Sequence, residues 1–365
     1  MKEETNNLPG IAMALFRCIC IFLMAAMFWG VPMRAHAAEA VKTMGGAGKT
    51  LIPVGRTAGI KLFADGVMVI GLSEVIGETG TACPAKACGL KEGDVITRVN
   101  GAEVQSAEQL RDALQQTNGS RMSLQVLRGE QKMELKATAA VGVEDGCYRL
   151  GAWTRDSMAG IGTITFYDPE SGVFGALGHG INDIDTFMLI PLASGSIMGS
   201  SVANVAKGQA GTPGELQGKF DLTKDLGALY ANTDCGIFGK TENDSYFMGQ
   251  NPVPAAGRTA AKVGKATILS NVAGDAVCEY EIEITKVYRG FSDSGRNLMI
   301  QVTDPKLLET TGGIVQGMSG SPILQDGKLV GAVTHVLVEN PQKGYGIFIE
   351  KMMEESKGNE TKMAS

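Results

Sequence analysis

Histidine is scarce in this 365-residue chain, which has only three, and aromatic residues make up only 6% of it. Its 49 glycines and many short apolar runs instead predict a mainly β, loop-rich protein. The seven cysteines include no C-x-x-C pair, so no metal site is expected, and a net charge of -6 gives no reason to expect nucleic-acid binding. The glycine-rich stretch 45–50 lacks the first glycine of a phosphate-binding loop, because Thr43 stands there. No cofactor is therefore predicted.

Residues 1–38 have the three parts of a signal peptide, or form a membrane anchor. The run from Ile11 to Met33 is apolar apart from Arg17, and Ala35-His36-Ala37 resembles a cleavage site. In either case the remainder is predicted to be exported and, if the segment is retained, membrane-associated. Residues 39–58 are predicted to be a linker. Outside the cytoplasm Cys83 and Cys88 could form a short disulfide, which the sequence leaves open.

Residues 59–139 are predicted to form an α+β, PDZ-like domain. Its strongest signature is the stretch 87–101, ACGLKEGDVITRVNG, followed by a helix that Ser106 caps. The runs 59–62 and 66–70 suggest a hairpin around a loop. Such a domain binds an extended peptide at a strand edge, where backbone amides hold the peptide's carboxylate. The predicted peptide-binding loop consists of Leu62, Phe63, Ala64, Asp65 and Gly66.

Residues 145–355 are predicted to form a double β-barrel of the chymotrypsin type. Residues 160–167 alternate like a strand, and short apolar runs recur. Those runs are 184–192, 261–270, 278–287 and 298–302. Residues 323–333 suggest a β-hairpin, and the chain from Glu350 suggests a helix that frays into a tail at 356–365.

The stretch 317–323, GMSGSPI, predicts a tight turn that presents the Ser319 hydroxyl just before a strand. The N–H groups of Gly317 and Ser319 would converge on a developing oxyanion. A serine nucleophile needs a base, and His179 lies between two glycines in a turn that would expose its ring. His335 looks like part of the hairpin that follows Ser319. The pair His179 and Ser319 therefore predicts acyl transfer by a serine endopeptidase, with histidine before serine in the chain.

The motifs Gly178-His179-Gly180 and Gly317–Ile323, preceded by a PDZ-like segment, resemble the SpoIVB family of sporulation serine peptidases. The resemblance covers nearly the whole chain. It implies a signalling protease of endospore formation that cuts itself and a membrane-bound regulator of an intramembrane protease, so that a late sigma factor is activated. It also implies a location between the forespore membranes, and a PDZ domain that recognises the enzyme's own N-terminal segment or the regulator.

The acid of the catalytic triad is the least determined residue. Asp304 matches the position that the resemblance implies. Asp234 is the alternative, because its separation from His179 is closer to that in chymotrypsin-fold enzymes. Asp183 and Asp185 are near His179 in sequence, but are expected to be solvated loop residues.

Two other functions are compatible with the sequence. One is a quality-control protease similar to the HtrA type, although the PDZ module follows the protease in those enzymes. The other is a non-catalytic signalling scaffold in which a PDZ domain and a degenerate barrel bind a membrane partner. The intact Ser319 and His179 argue against the scaffold.

Overall fold

The computed structural model describes residues 48–241, 243–290 and 295–363. The predicted signal or anchor segment, residues 1–38, lies outside these ranges. Among the residues described, no helix combines the length and apolar character needed to cross a bilayer.

Strands dominate the described chain, from its first residues to the C-terminal helix. The first eleven are β1 (Thr50–Pro53), β2 (Thr57–Leu72), β3 (Val75–Gly77), β4 (Gly80–Ala82), β5 (Val95–Val99), β6 (Ala102–Glu103), β7 (Met122–Arg128), β8 (Gln131–Ala137), β9 (Ala140–Val141), β10 (Tyr148–Arg149) and β11 (Ala152–Asp168). The others are β12 (Val173–Ala176), β13 (Leu192–Ala206), β14 (Glu215–Thr233), β15 (Gly236–Lys240), β16 (Val253–Pro254), β17 (Gly264–Ser270), β18 (Cys278–Val287), β19 (Leu298–Val302), β20 (Pro322–Gln325), β21 (Lys328–Leu337) and β22 (Asn340–Phe348).

The α-helices within these ranges are α1 (Pro84–Cys88), α2 (Ala107–Gln116), α3 (Pro305–Thr311) and α4 (Ile349–Met363). As predicted, Ser106 caps α2, accepting a hydrogen bond of 3.1 Å from the Gln109 N–H. Helix α4 begins where the sequence indicated but continues through most of the expected tail. The Tyr230 hydroxyl lies 2.8 Å from Ser356 Oγ and so holds this part of the helix to the barrel.

Two six-stranded barrels confirm the expected architecture of the peptidase part. Strands β2, β11, β12, β15, β14 and β13 pair in that order, and β13 returns to β2, which closes the first barrel. Strands β17, β18, β19, β22, β21 and β20 close the second. The first core contains Ile164 and Phe174, and the second contains Ile300 and Met318. A third apolar cluster joins both barrels to α4.

Strand β2 is shared between the first barrel and the PDZ-like domain. Strand β11 pairs with it from Thr57 to Leu72 on one side. On the other side β13 pairs with residues 58–64, and β5 of the PDZ-like part pairs with Val67 and Met68. Accordingly, Ile60 lies in the barrel core, and Val67 and Val69 lie in the PDZ core. One continuous strand therefore contributes to two cores.

This continuity corrects two predictions from the sequence. The expected hairpin over 59–70 is absent, and the proposed peptide-binding loop, Leu62–Gly66, is the middle of β2. Gly66 suggested a turn, but it marks a close approach: a Cβ there would lie 2.8 Å from the Ile96 carbonyl oxygen. The predicted linker is also wrong from Thr50 onward, because β1 pairs with both β11 and β16.

Two further local predictions change. The run 184–192 was expected to be a strand but forms a loop up to Pro191, and β13 starts at Leu192. Cys83 and Cys88 are free thiols that donate to the carbonyls of Gly151 and Ala85.

Candidate active site

The Ser319 turn is held against β11 by main-chain contacts. The Thr163 hydroxyl donates to the Gly317 carbonyl at 2.7 Å, and the Thr163 N–H donates to the Ser319 carbonyl at 2.9 Å. Gly320 has a φ of +98°, and a Cβ there would lie 1.9 Å from the Thr163 carbonyl oxygen. The glycine after the serine is therefore required by this close packing of turn on strand.

Two N–H groups of the turn are free to donate to a ligand, as the donors of an oxyanion hole must be. The N–H groups of Met318 and Gly320 donate to Val315 and Val333. Those of Gly317 and Ser319 have no acceptor anywhere in the described chain. These are the two donors that the sequence suggested, and they are available to a ligand oxygen.

The His179 ring projects from the turn after β12, and its protonation is defined by one contact. Its Nδ1 lies 2.8 Å from the Gly180 carbonyl oxygen. Because a carbonyl only accepts, Nδ1 carries the hydrogen and Nε2 keeps a lone pair. Burial lowers the pKa of His179 below its ordinary value, despite the opposing effect of the Gly180 carbonyl. The ring is therefore neutral near neutral pH and can accept a proton.

His179 and Ser319 line the same cleft, of about 280 Å³. Its other walls come mainly from Met158–Ile161 of β11 and from Leu177, and it has no charged lining residue. The Ser319 hydroxyl donates to the Thr334 carbonyl at 2.7 Å, and no hydrogen bond joins it to His179 in the part of the chain described. The structure therefore brings the two residues to one cleft but leaves the hydroxyl turned away from the imidazole.

Neither candidate acid contacts His179 in the structure. Asp304 is the N-cap of α3, and its carboxylate accepts from the N–H groups of Lys306, Leu307 and Glu281, at 2.9, 3.0 and 3.3 Å. Asp234 is exposed in the turn between β14 and β15. An aspartate followed by proline is a common start of a helix, which explains the position of Asp304.

Asp183 was expected to be solvated, and the structure shows otherwise. Its side chain is only 1% exposed and forms an ion pair with Arg155, which also pairs with the more exposed Asp185. Although burial opposes ionisation, hydrogen bonds from Thr186, Asp185 and Arg155 hold the pKa of Asp183 below its ordinary value. This buried carboxylate shapes the loop that follows His179.

Asn232 binds the loop after His179, a role that the sequence did not predict. Its amide nitrogen donates to the carbonyls of Ile181 and Ile190, both at 2.9 Å, and its Oδ1 accepts from the Ile181 N–H at 2.8 Å. No local pattern marks this residue, because its partners lie 42 and 51 positions away.

His335 lies in β21 as expected, but it is also a neighbour of His179. The two rings have centroids 5.0 Å apart. Its Nδ1 is buried without a hydrogen-bond partner among the described residues. Burial, followed by the charges of His179 and Arg296, lowers the pKa of His335 to about 4. A second neutral imidazole thus packs beside the predicted base, one residue after the carbonyl that holds Ser319.

Comparisons with known proteins agree with this architecture. A family model described as SpoIVB peptidase S55 matches residues 146–353, and a PDZ domain model matches residues 75–128. No curated protein matches the chain significantly.

The similar solved structures are more distant. The PDZ domain of an SdrC-like protein from Listeria monocytogenes is 21% identical, with a TM-score of 0.20, and the match covers 25% of this chain and 87% of that one. The Rv3671c protease from M. tuberculosis in its active form is 13% identical, with a TM-score of 0.34, over 55% of this chain and 74% of that one. An inactive form gives 13% identity and a TM-score of 0.31 over 56% and 85%.

Proposed function

Because the chain belongs to the SpoIVB peptidase S55 family and is therefore a serine peptidase, we propose that Ser319 is its nucleophile and His179 its general base. The observation that carries this proposal is that both side chains line one cleft, beside the two N–H groups that lack acceptors. The PDZ match over residues 75–128 supports a protein substrate, because PDZ domains bind peptides.

The proposed reaction begins with rotation of the Ser319 side chain away from the Thr334 carbonyl. Catalytic hydrogen bonds often form only once substrate is present, so the resting contact is compatible with catalysis. His179 Nε2 then takes the hydroxyl proton while Oγ attacks the substrate carbonyl. The N–H groups of Gly317 and Ser319 stabilise the oxyanion, the protonated His179 gives its proton to the leaving amine, and water releases the acyl group.

The Gly180 carbonyl supports the base in this scheme. It accepts from Nδ1–H and so fixes the tautomer that leaves Nε2 free, one of the tasks of a triad acid. A neutral carbonyl stabilises the imidazolium less than a carboxylate does. Slow turnover, as suits a signalling protease, is therefore expected.

Replacing the nucleophile tests this assignment. In Ser319→Ala, self-trimming and labelling by a serine-directed fluorophosphonate should both disappear while the thermal unfolding transition is retained. Equal labelling of parent and variant would exclude Ser319 as the nucleophile. Equal inactivity of both proteins would favour the signalling scaffold.

We further propose that the substrate is a membrane-bound regulator of an intramembrane protease, cut outside the cytoplasm during endospore formation so that a late sigma factor is activated. The family assignment supports this role, and so does the signal or anchor pattern of residues 1–38, which would bring the enzyme to the space between the forespore membranes. Discrete cleavage of such a regulator and of the enzyme itself would agree with the proposal. Broad degradation of unfolded casein would favour a quality-control protease.

A further inference from the structure

One edge of β11 is open over the part of the strand that reaches the cleft. From Ala152 to Thr163 the strand pairs with β2 on one side. On the other side β12 pairs only from Ile164 onward, and no other described strand pairs with residues 152–163 there. An unpaired edge of this kind is a template for another strand.

The main-chain groups that face this edge can be identified from their neighbours. The Thr163 N–H and carbonyl bond to Ser319 and Leu177, away from β2, whereas the Ile164 N–H bonds to Arg56. Hydrogen-bonding directions alternate along a strand, so the N–H and carbonyl groups of Ile161 and Ala159 also point to the open edge. Ala159 is exposed, and both residues line the cleft with His179 and Ser319.

The same strand reaches a second cavity at its other end. Residues 152–154 and α2 line a groove of about 500 Å³. Its lining includes apolar side chains that are largely exposed. They are Ile76, Val143 and Trp153, exposed by 62%, 53% and 67%. This groove lies between a helix and a strand edge, the arrangement in which PDZ domains bind peptides, but its strand belongs to the peptidase match rather than to the PDZ match.

We propose, resting on the function proposed above, that one extended segment of the protein substrate adds as a strand to the open edge of β11 and continues into the groove beside α2. Thr154 and Ile161 are seven residues apart, about 23 Å of extended chain. The segment therefore needs about eight residues on one side of the cut bond to fill both sites. Because the cleft has no charged lining, the residues next to that bond should be uncharged.

The probe is a 16-residue peptide that copies eight residues on each side of the bond at which the purified full chain cuts itself, mapped by mass spectrometry, with a six-residue version centred on the same bond. Ala159→Pro removes an N–H of the open edge without touching the pairing with β2, and Ala159→Ser is its control. Relative to Ala159→Ser, which keeps the N–H, the proline variant should lose about tenfold or more in kcat/KM on both peptides. Circular dichroism and thermal unfolding of both variants show whether each of them folds.

Trp153→Ala tests the groove, and should raise KM for the long peptide but not for the short one. The proposal would be overturned if Ala159→Pro cleaved the long peptide with the kcat/KM of the parent, or if Trp153→Ala changed KM equally for both peptides. If Ala159→Pro fails to fold, long peptides N-methylated at single positions provide the test. Slower cleavage when alternate residues are methylated supports strand addition, and equal cleavage of all these peptides refutes it. Absence of labelling in the parent would instead count against Ser319 as nucleophile.

Discussion

The two carboxylate oxygens of Asp304 are occupied by three main-chain N–H groups. A residue that caps a helix can be replaced by asparagine with little loss, whereas alanine costs about 1 kcal/mol of stability. A triad acid behaves differently, because asparagine in its place reduces kcat by about 10⁴-fold. The two roles therefore predict opposite outcomes for one conservative change.

We expect Asp304→Asn to keep peptidase activity within a fewfold of the parent, and Asp304→Ala to unfold at lower denaturant concentration. Peptide hydrolysis and urea unfolding of both variants provide the measurement. A loss of several orders of magnitude in Asp304→Asn, with unchanged unfolding, would restore Asp304 as the acid.

The lowered pKa of His335 makes stability depend on pH in a defined direction. The folded protein keeps His335 neutral down to about pH 4, whereas the unfolded chain protonates it near 6.5. Below pH 6.5 the unfolded state thus binds more protons, and stability falls as pH falls. From pH 7 to pH 5 this residue should account for a loss of about 2 kcal/mol. His335→Gln, which does not titrate, should lose correspondingly less over that interval in urea unfolding; equal losses in both proteins would contradict the assignment.

Burial also lowers the pKa of His179, and this determines how the rate of peptide hydrolysis depends on pH. Its neutral form is the base, so activity should rise with pH through a pKa below 6.5. The acid limb of kcat/KM measured on a peptide substrate gives this value. A limb centred above 6.5 would mean that a negative charge, absent from the contacts described, stabilises the imidazolium.

At the scale of elements, the loop after His179 depends on a side chain from the end of β14. Asn232→Ala removes three hydrogen bonds to that loop, so we expect at least a tenfold lower rate of fluorophosphonate labelling together with a lower unfolding midpoint. Asn204→Ala is the matched control, because this exposed amide donates to Gln217 on the neighbouring strand, in the β13–β14 hairpin. Identical labelling rates in the two variants would show that the loop holds His179 without Asn232.

Features that depend on neighbouring residues were predictable from the sequence. The turns at His179 and Ser319 followed from their glycines, and the capped α2 and the strands of the second barrel followed from periodicity. Long-range features were not. Strand β2 continues through Gly66. The neighbouring residues do not show whether a glycine there forms a turn or makes room for a partner strand. The contacts of Asp304, Asn232 and His335 likewise depend on residues far away in the chain.

At the scale of the whole molecule, the barrel cannot be separated from the chain that precedes the PDZ match. A chain truncated to residues 146–365 keeps the full peptidase match but lacks β1 and β2, so its first barrel is open. We expect this fragment to be insoluble or unfolded. Joining Leu72 to Ala152 through Asn-Gly, which favours a tight hairpin turn, should instead leave a folded protein that the fluorophosphonate still labels. Circular dichroism and labelling compare the two, and a folded, reactive fragment 146–365 would refute the shared strand.

Leu72 and Ala152 face each other as paired residues, with all of the PDZ match between them. The recognition module thus occupies the tip of a hairpin, entering and leaving the peptidase at a single point. An insertion or a deletion at this one hairpin turn would be enough to add or remove the PDZ module during evolution. A force that a bound peptide exerts on the module would therefore be transmitted along β2 and β11, and Thr163 of β11 holds the Ser319 turn.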